Sequence, residues 1–167
     1  MQGALVYITG LSGSGKTTLA GEVVKSIKST FGIKAVLLDG DTLRECVVNN
    51  DYSIHGRFNM ASYYVRVAKV LVDQGFVVVL STISMFDKIR AFNAENFKNY
   101  LEVYLEVSTE VRKQRDPKDF YKFNTLDMAG LNQSVELPKN SHLVFKDNFD
   151  INRACEKIIE KFKEFNA

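Results

Sequence analysis

Eight consecutive residues, Gly10-Leu11-Ser12-Gly13-Ser14-Gly15-Lys16-Thr17, read G-x-x-x-x-G-K-T. They follow the apolar run Ala4-Leu5-Val6-Tyr7-Ile8-Thr9 and open a helical pattern, the context in which this spacing binds phosphate. The glycines let the backbone fold tightly enough for its N–H groups to point at phosphate oxygens. The N-terminus of the following helix adds partial positive charge. Lys16 can reach the β- and γ-phosphates, and the Thr17 hydroxyl can ligate Mg²⁺. Gly10, Ser12, Gly13, Ser14, Gly15, Lys16, Thr17 and Thr18 are therefore candidate contacts for a nucleoside triphosphate.

What happens to the γ-phosphate depends on the groups nearby. A guanine-specific N-K-x-D is absent, which argues against a switch GTPase. The apolar run Phe76-Val77-Val78-Val79-Leu80 ends in Ser81, not in the Asp of a motor-type metal strand. The carboxylates nearest the phosphates should instead be Asp39 and Asp41, at the end of the second strand. Either carboxylate can hold Mg²⁺ through water, with Asp39 a candidate for that, or accept the proton of an attacking hydroxyl. Arg44 lies one helical turn beyond Asp41. Arg57 and Arg90 come from other segments expected at the same sheet edge, and arginine suits bidentate capture of phosphate-like groups. Arg112, Lys113, Arg115 and Lys118 cluster where a long polar stretch, residues 116–137, begins. Stretches of that length often act as lids, and cations there could neutralise ATP on closure. Together these groups suit a small-molecule kinase.

The elements that must position them can be read from periodicity. Strands are expected over residues 4–9, 35–39, 76–80, 101–107 and 143–145, and helices over 16–30, 60–74, 87–99, 109–115 and 151–165. The segment Asp39-Gly40-Asp41 closes the second strand. Strands alternating with helices imply parallel crossovers, hence a three-layer α/β fold of the P-loop NTPase type, with ligands outside the carboxyl ends of the strands. The length of 167 residues fits one domain over 1–167, with the lid inside it. Hydrophobic content of 46% and charged content of 25% are ordinary for a globular protein. The net charge of +2 gives no field that would draw nucleic acid, and no apolar stretch approaches the ~20 residues of a membrane span. Cys46 and Cys155 lack metal-ligand spacing and read as reduced thiols, and no leader segment is evident, so a cytoplasmic location is expected.

The loop, then Leu38-Asp39-Gly40-Asp41 with Arg44, then Val67-Ala68-Lys69, Ser81-Thr82-Ile83-Ser84-Met85-Phe86 and Gln114-Arg115-Asp116-Pro117-Lys118-Asp119-Phe120-Tyr121 occur in one order. That series resembles the adenylylsulfate (APS) kinase family, whose patterns are close to GLSGxGKST, LDGDxxR, EVAK, SFISPF and QRDPKxLY. The resemblance implies transfer of the ATP γ-phosphate to a nucleotide ribose 3′-hydroxyl, with Asp41 as base. It implies acceptor contacts from Arg44, Arg57, Tyr52, Ile83 and Met128, and packing of Arg115 on the ATP adenine. Ser84 matches a serine described as a phosphorylated intermediate, although direct in-line transfer needs no covalent step. A homodimer is a further implication.

Departures from the family concentrate on the acceptor side. Its F-S-x-x-D-R-x-E-N-x-R-R stands here as Tyr52 to Tyr63, with Asn59-Met60 for Glu-Asn and Ser62-Tyr63 for the paired arginines. Its N-F-T-G-I-D-x-P-Y-E stands as Asp127 to Glu136, with Met128 for the lid Phe. The donor residues are kept. This pattern resembles a divergent branch of the family, cytidine diphosphoramidate kinase, which serves capsule phosphoramidate synthesis. The alternatives are an adenylylsulfate kinase with tolerated substitutions and a non-catalytic nucleotide-binding module.

Overall fold

A computed structural model describes residues 3–115, 129–130 and 133–166. The strands are β1 (Ala4–Gly10), β2 (Val36–Asp39), β3 (Val77–Thr82), β4 (Tyr100–Glu106) and β5 (Leu143–Lys146). The helices are α1 (Lys16–Phe31), α2 (Gly40–Cys46), α3 (Ile54–Asp73), α4 (Asp87–Asn96), α5 (Thr109–Gln114) and α6 (Ile151–Lys163). The strands form one parallel sheet in the order β2-β3-β1-β4-β5. The expected α/β fold with a parallel sheet is thus observed.

β1 is continuous in apolar residues because both of its faces are covered. Ala4, Val6 and Ile8 pack with Leu19, Val23 and Ile27 of α1 and with Ile158 and Phe162 of α6. Leu5 and Tyr7 point the other way, against Met60, Tyr64 and Val65 of α3 and Ile89 of α4. Each fully buried aliphatic side chain contributes roughly 1.5–3 kcal/mol. The parallel register brings Gly10, Asp39, Thr82 and Glu106 to one edge of the sheet. Among the described residues, no helix is long and apolar enough to cross a membrane.

Several boundaries differ from the periodicity reading. The segment Asp39-Gly40-Asp41 that closes β2 also starts α2, because the Asp39 carboxylate accepts from the N–H groups of Asp41 and Thr42 and caps the helix. α3 begins six residues before residue 60, where Ser53 Oγ accepts from Gly56 N. The polar run His55-Gly56-Arg57 hides that first turn from a hydrophobic count. α4 stops at Asn96, short of residue 99, because Phe97 turns into the core in an extended conformation and stacks on Tyr100. β3 runs on to Thr82, and Phe76, expected in it, is half exposed outside it.

Candidate active site

The phosphate loop joins β1 to α1. Gly13 and Gly15 have φ of 78° and 95°, a conformation that favours glycine. Ser14 N donates to Leu11 O at 3.2 Å, Leu19 N donates to Gly15 O at 3.0 Å, and the Lys16 ammonium donates to Leu11 O at 2.9 Å. Ser12, Gly13, Gly15, Lys16, Thr17 and Thr18 line a cavity of about 940 Å³. Gly10 and Ser14 do not line it. A Cβ on Gly10 would sit 2.5 Å from Ser14 Oγ, so both residues are packed beneath the loop.

Thr17 Oγ1 donates to Asp39 Oδ2 at 3.2 Å, which places the two candidate metal ligands together at the cavity wall. Asp41 lines the same cavity from the first turn of α2 and is exposed to it. Opposite lie Thr82, Ile83 and Ser84, at the end of β3. Thr82 Oγ1 and Ser84 Oγ are hydrogen-bonded at 2.7 Å.

Another part of the cavity wall is built around Tyr52. The Arg44 guanidinium lies over its ring at 4.5 Å and that of Arg57 at 5.4 Å from the centroid. Arg44 is only 8% exposed, and its Nη1 donates to Asn49 Oδ1 and to Asp51 O. It therefore shapes the 49–52 loop as well as lining the cavity. Arg57 Nε and Gln133 Nε2 both donate to Tyr52 O at 3.0 Å. Tyr64, beneath them, has its phenol pushed up by burial, with the Arg44 charge acting against the shift. The Asp51 carboxyl is held below its usual value by hydrogen bonds from Ser53.

Four expected cations, Arg90, Arg112, Lys113 and Arg115, do not line the cavity. Arg90 is on α4, with Nη2 donating to Glu136 O at 2.6 Å and paired to Asp87. It anchors the chain at residue 136, where Glu136 N also donates to Met85 O and Glu136 Oε2 accepts from Asp87 N. Arg112 is not a surface lid cation. It is 2% exposed, donating to Val107 O, Thr109 Oγ1 and Ser12 O behind the phosphate loop, because a buried guanidinium must satisfy its donors. Arg115 is exposed at the C-cap of α5, outside the cavity lining. Met128, Lys118 and most of the expected lid lie outside the described residues. Of the α3 departures, Met60 is buried in the core, and Asn59, Ser62 and Tyr63 do not line the cavity. Sequence reasoning did not single out Tyr64, Asn49 or Gln133, none of which belongs to a phosphate motif.

The model of the family described as adenylylsulphate kinase matches residues 2–146. The chain is 35% identical over 160 residues to the cytidine diphosphoramidate kinase of Campylobacter jejuni, covering 94% of this chain and 90% of that one. It is 32% identical over 170 residues to a probable adenylyl-sulfate kinase of Pyrococcus abyssi, covering 98% and 97%. Among solved structures, the Mycobacterium tuberculosis APS kinase in complex with AMPPNP and APS superposes with a TM-score of 0.88 at 28% identity, over 97% of this chain and 98% of that one. With family pattern, relatives and fold in agreement along nearly its whole length, the chain belongs to the adenylylsulphate kinase family and is a phosphotransferase acting on a nucleotide.

Proposed function

We propose that this kinase transfers the γ-phosphate of ATP to the ribose 3′-hydroxyl of cytidine diphosphoramidate. The observation that carries the reading is where the family departures fall in the cavity. Tyr52, Ala129, Ser134 and Val135 all line the cavity, and each differs from the family pattern, whereas the phosphate loop departs from it only by Thr17 for Ser. A Val in place of the family Tyr and a Ser in place of its Pro reshape the acceptor wall while leaving the donor site alone. The similarity to the Campylobacter jejuni enzyme supports the same reading.

In this reading Lys16 leaves the Leu11 carbonyl and neutralises charge on the transferring phosphoryl group. Asp41 accepts the proton of the attacking hydroxyl. Arg57 binds the anionic head of the acceptor, and Arg44 holds Tyr52 as a platform for the base. Thr17 and Asp39 offer hard oxygen donors side by side and so fit Mg²⁺, with Asp39 acting through water. Bound there, the ion would neutralise β- and γ-phosphate charge. Ser84 shares a hydrogen bond with Thr82 and is left out of the transfer. Arg115 packs on the ATP adenine, Ile83 belongs to the acceptor wall, and Met128 has the role of an acceptor contact. The protein works in the cytoplasm, in capsule phosphoramidate synthesis, and forms a homodimer.

The test is a kinase assay with ATP and a panel of cytidine diphosphoramidate, plain CDP and adenylylsulfate. The expected result is a kcat/KM for the cytidine diphosphate-type acceptor at least about tenfold above that for adenylylsulfate, the factor that 1.4 kcal/mol of lost base contact produces. Equal or better turnover of adenylylsulfate would assign the chain to adenylylsulfate phosphorylation.

A further inference from the structure

Between β3 and α4 the chain makes a four-residue turn, Ile83-Ser84-Met85-Phe86, and all four residues line the cavity. Ser84 is 7% exposed and has φ of 27°, close to the left-handed region that a residue with a side chain adopts only at a cost. Something must hold it there.

Two side chains of β1 do so. Tyr7 and Thr9 are spaced two apart on one strand, so both point to the same face of the sheet. Both are wholly buried. Thr9 Oγ1 donates to Ile83 O at 2.6 Å, and the Tyr7 hydroxyl donates to Ser84 O at 3.1 Å. Ser84 O also accepts from Phe86 N at 2.9 Å, which closes the turn. On the same face Leu5, Met60, Val65 and Leu80 pack with Tyr7, and Glu102 of β4 stands beside it in register, its carboxylate accepting from the Tyr100 hydroxyl. A hydroxyl buried in such surroundings is costly unless bonded, and the bond it makes goes to the strained turn at Ser84 in the cavity wall. The same turn supports the chain at residue 136, since Met85 O accepts from Glu136 N at 3.1 Å. Neither Tyr7 nor Thr9 lines the cavity, and neither belongs to the phosphate motif.

We propose that Tyr7 and Thr9 are positioning residues, whose hydroxyls hold the Ile83–Ser84 turn in the strained form that completes the acceptor wall. The proposal rests on the chain being a nucleotide kinase whose acceptor occupies this cavity. It does not depend on which base the acceptor carries.

The test uses the full chain with Thr9→Val, Thr9→Ser and Tyr7→Phe. Steady-state kinetics with ATP and whichever of cytidine diphosphoramidate or adenylylsulfate the parent protein phosphorylates would be set beside thermal melting and a crystal structure of Thr9→Val. The acceptor KM should rise about fivefold or more in Thr9→Val and Tyr7→Phe, the factor expected for losing one buried hydrogen bond, while the KM for ATP stays within about twofold. Thr9→Ser keeps the hydroxyl and should restore the acceptor KM. In the Thr9→Val crystal, Ser84 should leave positive φ. An unchanged acceptor KM, a Thr9→Ser variant as impaired as Thr9→Val, or a Ser84 still at positive φ would overturn the proposal. Should Tyr7→Phe not fold, the Thr9 pair decides alone. The crystallographic readout needs no turnover, so failure of the parent protein to phosphorylate either acceptor counts against the acceptor assignment and not against the clamp.

Discussion

In the proposed reaction Lys16 and Asp41 carry different parts, so their variants should separate. Lys16 supplies a point charge at the phosphate loop, where its ammonium donates to Leu11 O. Lys16→Ala should lower kcat by about two to three orders of magnitude, the loss typical of removing one charge-stabilising group, and leave the melting temperature near that of the parent. Retention of near-normal turnover would refute its place in the transition state. Asp41 is tied into α2 through its backbone N–H, which donates to Asp39 Oδ1, so changing its side chain leaves the cap intact. Asp41→Asn should lower kcat by about 10²–10⁴-fold while ATP affinity, measured by calorimetry, is retained. Weakened ATP–Mg²⁺ binding with unaffected single-turnover transfer would instead make Asp41 a metal-side residue.

The short elements at the sheet edge depend on caps. α5 carries Arg112, which backs the phosphate loop, and its N-cap Ser108 is held by Asp147 at the end of β5, whose Oδ1 accepts from Ser108 N at 2.6 Å. That hydrogen bond, with the Arg115 charge as a lesser cause, holds the Asp147 carboxyl below its usual value. A carboxyl depressed in the folded state stabilises the protein above its unfolded pKa, and that stability is lost as pH falls through the folded value. Asp147→Asn should therefore have a lower urea midpoint than the parent at pH 7. The gap should start to narrow near pH 4, the ordinary carboxyl value, and close only once pH falls below the depressed folded value, where the parent carboxyl also becomes neutral. A gap that persists or widens in acid would show that the hydrogen bond, not the charge, matters.

Across the whole molecule, the core that supports the fold and the cavity that does the chemistry are separable. Phe162 of α6 is fully buried, with the Phe31 ring 5.4 Å away and that of Phe165 at 5.7 Å. This packing joins α6 to α1 beneath the sheet, away from the cavity lining. Phe162→Ala should cost about 3–5 kcal/mol of stability, read from denaturant unfolding, and leave both KM values unchanged where the protein remains folded. A raised KM for ATP would mean that α6 packing is coupled through α1 to the phosphate loop. The cavity itself lies at the carboxyl ends of β1, β2 and β3, where the strand order doubles back, the usual place for a ligand in an open parallel sheet.

Residues 10–17 announce phosphate binding because the motif is contiguous: strand, loop and helix N-terminus are neighbours along the chain, and local geometry suffices. The alternation of apolar runs was likewise enough for the layer architecture, since each run's period reflects one buried face or two. Helix phase and sheet register are another matter. Arg112 was legible as a cation, but only packing against Ser12 and Val107 turns it inward. Asn59, Ser62 and Tyr63 were legible as departures, but the rotation of α3 about its axis takes them off the cavity wall and puts Tyr64 on it. Tyr7 and Ser84 are separated by 77 positions, Thr9 and Ile83 by 74, and they meet because β1 pairs with β3 in the register that sets Ile8 beside Ser81. Periodicity carries no information about which strand lies beside which, because that choice is made by burying two faces at once.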